Sequence, residues 1–237
     1  MTRGIPIAFS RLLCVTIAAL IVVLAWDASG LDLPMARLAG NAQGFAWRDD
    51  AALVLWLHEV PRFLSWLGLA LLVVAVRWPF AMLRGLTRRE RVQLALTVFA
   101  SVLAISLIKS NSRTSCPWDM AEFGGIARHV SHWSWGALDG GPGRCFPAGH
   151  ASAAFAYVGG WFVLRRSMPR TAAVWLTTAA CFGLVLGLMQ QWRGAHYMSH
   201  TLWTAWACWT AGWAIDGVFR LRSRDAIDGA TPKLNKG

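Results

Sequence analysis

The stretch Gln190-Gln191-Trp192-Arg193-Gly194-Ala195-His196-Tyr197-Met198-Ser199-His200 holds two histidines four residues apart, with an arginine three residues before the first. If its second half is helical, His196 and His200 share a face, because positions i and i+4 are neighbours on a helix. Such a pair suits three chemistries: a nucleophilic or basic imidazole held by a second side chain, a metal site, or a polar seam between helices. Two further stretches carry residues of the same kind. Lys109-Ser110-Asn111-Ser112-Arg113-Thr114-Ser115-Cys116-Pro117-Trp118 supplies cations, and Phe146-Pro147-Ala148-Gly149-His150 supplies a turn and a third histidine, with Arg144 two residues ahead of it. Asp49, Asp50, His58 and Glu59 match no familiar ligand spacing, and no chemistry is read there.

The elements that must position these residues are membrane helices. Of 237 residues, 56% are hydrophobic and 15% charged, against about 25% charged in an ordinary soluble domain. Apolar runs cover Leu12 to Trp26, Phe63 to Val76 with Trp78 to Leu83, Val92 to Ile108, Ala151 to Leu164, Thr171 to Trp192 and Thr201 to Ile215. Several fall short of the roughly 20 residues a span needs, so flanking residues must help. The expected fold is an all-α integral membrane bundle of six transmembrane helices over 1–220, with a basic, disordered cytoplasmic tail over 221–237. The first run lacks a convincing small-residue cleavage site and is kept as a permanent helix.

Basic residues set the orientation. With the N-terminus inside, the cytoplasmic side receives fifteen of them, among them Arg84, Arg88, Arg89, Arg91, Arg165, Arg166 and Arg170, and the outer side receives eight. Both termini are therefore expected in the cytoplasm. The net charge of +11 is accounted for by these flanks and by anionic lipid head groups, and calls for no nucleic acid partner. This topology puts all six histidines (58, 129, 132, 150, 196 and 200) on the outer side. It also leaves a connection of about forty residues between Lys109 and His150, a length that is usually functional when it is not disordered.

Three motifs thus meet one membrane face, each at the end of a helix. Lysine and arginine neutralise phosphate oxygens, and a turn at a helix N-terminus offers further N–H donors. Of two histidines, one can attack phosphorus while the other protonates the leaving oxygen. A zinc site from His150, His196 and His200 is the competing possibility. It would set a cation among Lys109, Arg113 and Arg193, which suit an anion instead. The tryptophans, such as Trp203 and Trp206, read as interface anchors.

At these residues the sequence resembles the type 2 phosphatidic acid phosphatase superfamily, whose pattern is K-x6-R-P, then P-S-G-H, then S-R-x5-H-x3-D. Lys109 and Pro117 match the first motif, Pro147-Ala148-Gly149-His150 the second, and Gly194 to His200 the end of the third. Cys116, Met189, Gln190 and His200 depart from it, standing where the pattern has arginine, serine, arginine and aspartate. The resemblance implies a six-helix lipid phosphatase or pyrophosphatase without metal or other cofactor. His196 would be the nucleophile, His150 the general acid, and His200 the group that orients His196. Lys109, Arg113, Arg193, Arg144 and the Ala148-Gly149 backbone would hold the phosphoryl oxygens. His150 and His196 are then expected with ring nitrogens on the order of 6 to 8 Å apart, about 3 Å from each to the reacting group.

The substrate would be an amphiphile taken from the bilayer, and the expected location is a bacterial inner membrane with the site facing the periplasm. A periplasmic site allows a Cys116–Cys145 disulfide joining the first motif to the second. Two other functions use the same residues: a lipid phosphotransferase, and a non-catalytic lipid-binding or scaffolding protein. Nothing in the sequence sets an oligomeric state.

Overall fold

A computed structural model describes residues 7–230 apart from Trp135, with side chains from Ser10 to Leu221. The chain is mostly helical with little sheet. In order it forms α1 (Ile7–Ser29), α2 (Asp32–Arg37), the two-residue strands β1 (Gly40–Asn41) and β2 (Gly44–Phe45), α3 (Ala51–Val54), a π-helical turn (Leu55–Glu59) and α4 (Val60–Arg77). There follow α5 (Arg88–Asn111), the short α6 (Ser152–Phe155) and α7 (Gly160–Leu164), α8 (Pro169–Trp192) and α9 (Met198–Ala230).

Among the described residues, four helical stretches are long and apolar enough to cross a membrane: Ser10–Ser29, Ala51–Gly85, Arg88–Asn111 and Pro169–Trp192. Their outward faces stay apolar. Ile21, Val22, Phe63, Val73, Leu107, Val174 and Phe182 are all exposed, as a lipid-facing surface requires. α4 stops at Arg77, and Trp78 to Leu83, within the second candidate span as expected, form a turn and part of a 3-10 segment over Ala81–Gly85. Thr87 starts α5 with a capping box. Its hydroxyl accepts from the Glu90 N–H and the Glu90 carboxylate accepts from the Thr87 N–H at 2.8 Å, worth on the order of 1 kcal/mol.

The apolar run after His150 is not one regular helix. Between α6 and α7 the chain winds with i→i+3 bonds, including Tyr157 N–H to Ala154 O at 3.0 Å and Gly160 N–H to Tyr157 O at 2.9 Å. The tighter winding lengthens a short segment. The 13 residues of Ser152–Leu164 would reach about 20 Å as α-helix and about 26 Å as 3-10 helix, closer to the ~30 Å hydrocarbon core. Glycine lets this segment lie against α9, since a Cβ on Gly212 would stand 2.7 Å from the Cα of Gly159.

Away from the histidines, the buried Asp216 of α9 accepts from Gln93 of α5 at 2.9 Å. It pairs with Arg165 at 3.2 Å, with Arg220 at 2.8 Å and with Arg166. α9 continues as helix to Ala230, well into the tail expected to be disordered. Residues 231–237 of that tail lie outside the described residues.

Candidate active site

The long connection is a built loop. α5 ends at Asn111, and Ser112 turns extended (φ −72°, ψ 134°), so the chain runs on beside the approach to the second motif. The Arg144 N–H donates to Ser112 O at 2.9 Å and the Cys145 N–H to Thr114 O at 2.8 Å. Buried Asp139 accepts from the Ser115 N–H at 2.6 Å, the Ser115 hydroxyl at 2.9 Å and the Gly141 N–H at 2.9 Å. Cys116 and Cys145 form a disulfide. Two main-chain bonds then bring in the third motif: Trp118 N–H to Gly194 O at 2.9 Å, and Ala148 N–H to His200 O at 3.2 Å.

His150 Nδ1 lies 3.4 Å from His196 Nε2, with ring centroids 5.6 Å apart. This is much closer than the expected 6 to 8 Å, so the two rings face each other directly and a phosphoryl group must part them. His196 precedes α9 by two residues, so it does not share a helical face with His200. Those rings meet edge-on at 5.7 Å. His200 is 1% exposed, boxed by Phe146, Tyr197 and His132, and its Nδ1 has no hydrogen-bond partner. That nitrogen gives His196 no orienting bond, and the ring has a main-chain hydrogen bond to Cys145. The orienting place is taken by Cys145, whose disulfide sulfur is 3.5 Å from His196 Nδ1 and 3.0 Å from Ala195 O.

Burial, followed by the charges of Lys109, His150 and His200, holds His196 well below the ordinary histidine range, and a main-chain hydrogen bond to Cys145 works the other way. Burial and then the charges of His58, Lys109, Arg193 and Arg62 push His150 down to about 3. Both rings are neutral at pH 7, the form in which an imidazole attacks. Ligand atoms of Cys116, Cys145 and His196 lie within 4.8 Å of one another. The two sulfurs are bonded together, so they offer no thiolate to a metal.

Of the cations, Lys109 is at the site. A Cβ on Gly149 would sit 3.8 Å from its Nζ, and its charge acts on both His150 and His196. Arg193 is 6% exposed. It donates to Arg48 O at 2.6 Å and to Gln190 Oε1 at 3.2 Å, so much of its capacity clamps the first outer segment. Gln190 in turn donates to Leu57 O at 3.0 Å, fastening the π turn.

Arg113, one of the expected oxygen-binding groups, is elsewhere. It donates to Gly136 O at 3.3 Å and lines a separate cavity of about 690 Å³ with Leu107, His132, Phe146, Trp203 and Trp206. The Ala148 N–H is already bonded to His200 O, and α6 does not begin until Ser152 and has only four residues. The aligned N-terminal dipole expected at Ala148-Gly149 is therefore missing. Arg144 is exposed and holds φ 58°, a left-handed conformation uncommon in non-glycine residues.

His58 belongs to none of the three motifs, yet its ring centroid is 4.2 Å from that of His150. The missed signal was backbone geometry, because the π turn Leu55–Glu59 is a feature frequent at functional sites with no spacing rule of its own. From the same corner an apolar groove of about 660 Å³ opens between α4 and α8. Leu57, Val60, Leu64, Phe182, Ala153 and Ala154 line it.

Compared with known families, residues 91–223 match the PAP2 superfamily. The chain belongs to that superfamily of phosphatases, and its apolar helices make it a membrane protein. No curated protein and no solved structure matches the chain.

Proposed function

We propose that this protein is a metal-independent phosphatase or pyrophosphatase of a membrane lipid phosphate, working through a phosphohistidine. The carrying observation is the facing pair His150–His196, 3.4 Å apart, with Lys109 beside it. His196 Nε2 attacks phosphorus in line while the P–O bond to the leaving group breaks. His150 gives that oxygen a proton, then takes one from the water that cleaves the phosphohistidine. Lys109, and Arg193 from a greater distance, offset the charge gathering on the phosphoryl oxygens. Arg113, which lines the other cavity, and the exposed Arg144 have no part in this scheme.

The groove between α4 and α8 supports an amphiphilic substrate. Leu57 and Ala153, which line it, are one and three residues along the chain from His58 and His150, and it is almost wholly apolar and opens on helices that face lipid. A six-span layout with α9 and the broken Ser152–Leu164 segment as the remaining crossings follows from the same reading, with the histidines at the outer face of a bacterial inner membrane. The test is phosphate release by purified protein from a panel of lipid phosphates and diphosphates, with His196→Ala and His150→Ala alongside. Release by the parent and loss in both variants supports the proposal. Equal release by all three, or none by the parent, removes it.

A further inference from the structure

His58 and Glu59 belong to no motif, yet they sit against the proposed acid. The His58 Nδ1 is 2.7 Å from Glu59 Oε1, and its ring tilts over His150 at 4.2 Å between centroids. The side chains are 27% and 52% exposed, whereas His196 is sealed at 2%. The π turn that presents His58 is held by Gln190, whose amide fills the Leu57 carbonyl at 3.0 Å. We infer that the His58–Glu59 dyad is the proton supply of His150, connecting the closed pair of histidines to solvent.

The inference rests on the function proposed above. His150 faces cationic groups from every neighbouring element: His58 on the π turn, Arg62 on α4, Lys109 on α5, and Arg193 in the turn before α9, with His196 opposite. The Glu59 carboxylate orients the His58 ring over His150, and when an anionic phosphate lies next to His150 a proton passes from the dyad to it through one water or a ring rotation. His150 then donates it to the leaving oxygen as that oxygen takes the electron pair of the breaking P–O bond. In the second step the proton taken from the attacking water leaves by the same path, and the balance closes.

Leaving-group dependence tests this. An alkyl phosphate expels a poor leaving group that needs the proton, whereas p-nitrophenyl phosphate expels a stable phenolate that hardly does. In His58→Gln the ratio of kcat on the alkyl phosphate to kcat on the aryl phosphate should fall by about 100-fold. In Glu59→Gln, which removes the carboxylate that holds the His58 ring, the same ratio should fall in the same direction. A merely structural role lowers both rates together and leaves the ratio in place, and that result overturns the dyad. A parent protein inactive on both substrates overturns the function on which the dyad depends.

Discussion

The Cys116–Cys145 bond can be removed without touching any histidine, and both its effects can be worked out. It closes a loop with a sequence separation of 29. The loop-entropy relation gives about 12 cal/mol/K for that length, or about 3.6 kcal/mol at 25 °C. For a chain of this size that corresponds to a fall in Tm on the order of 10 °C. The second effect is local. The Cys145 sulfur lies 3.0 Å from Ala195 O and 3.5 Å from His196 Nδ1, so releasing it frees the residue that positions the nucleophile. A shift near 1 Å at a reacting group costs on the order of 100-fold in rate. The assay is thermal unfolding and phosphate release in detergent, with and without reductant, well below the lower Tm. Thiol titration in denaturant should count Cys14, Cys181 and Cys208 before reduction and all five cysteines after it. Five titrated thiols with unchanged Tm and unchanged rate would refute the reasoning.

Other outcomes follow from the same geometry. His150 and His196 are neutral in the folded protein and titrate near 6.5 when unfolded, so the unfolded chain binds more protons as pH falls. Stability present above pH 6.5 should drop by about 1.4 kcal/mol per pH unit for each imidazole between pH 6 and 5, and denaturant unfolding of His150→Gln should show a shallower slope. Lys109→Met should lower kcat/KM by about 100-fold or more, while Arg113→Met, on the other cavity, should change it far less; comparable losses would contradict the placement. Gly194 holds φ +77°, and a Cβ there would stand 2.4 Å from the Phe45 ring. Gly194→Ala should therefore cost roughly 2–5 kcal/mol in unfolding free energy.

Much of this site could be read from sequence. The periodic apolar runs located α1, α5 and α8, and the order of Lys109, His150 and His196 carried the family. Cys116 and Cys145 paired as the outer location allowed. The errors share a cause, which is that helices were extended past their ends. The helix that carries Lys109 stops at Asn111, and the extended Ser112 sends Arg113 elsewhere. His196 and His200 share a face only if the helix reaches back to His196, and α9 starts at Met198. Ala148 was expected to donate to phosphate, a role that a main-chain bond to His200 forecloses and no pattern of residue types reveals. His58 was invisible because a π turn, rather than a spacing, aims it. Two departures from the family pattern gain a physical sense: Gln190 anchors Arg193 and the π turn, and Cys116 spends its side chain on the disulfide.

The central claim is that His196 carries the phosphoryl group between the two steps. Rapid quench into alkaline detergent of the protein with a lipid substrate labelled in the transferred phosphorus tests it directly. Label that is stable to base, labile to acid and mapped to the peptide containing His196 is the expected result, with none in His196→Ala. Full turnover without such label, or label on another residue, would contradict it.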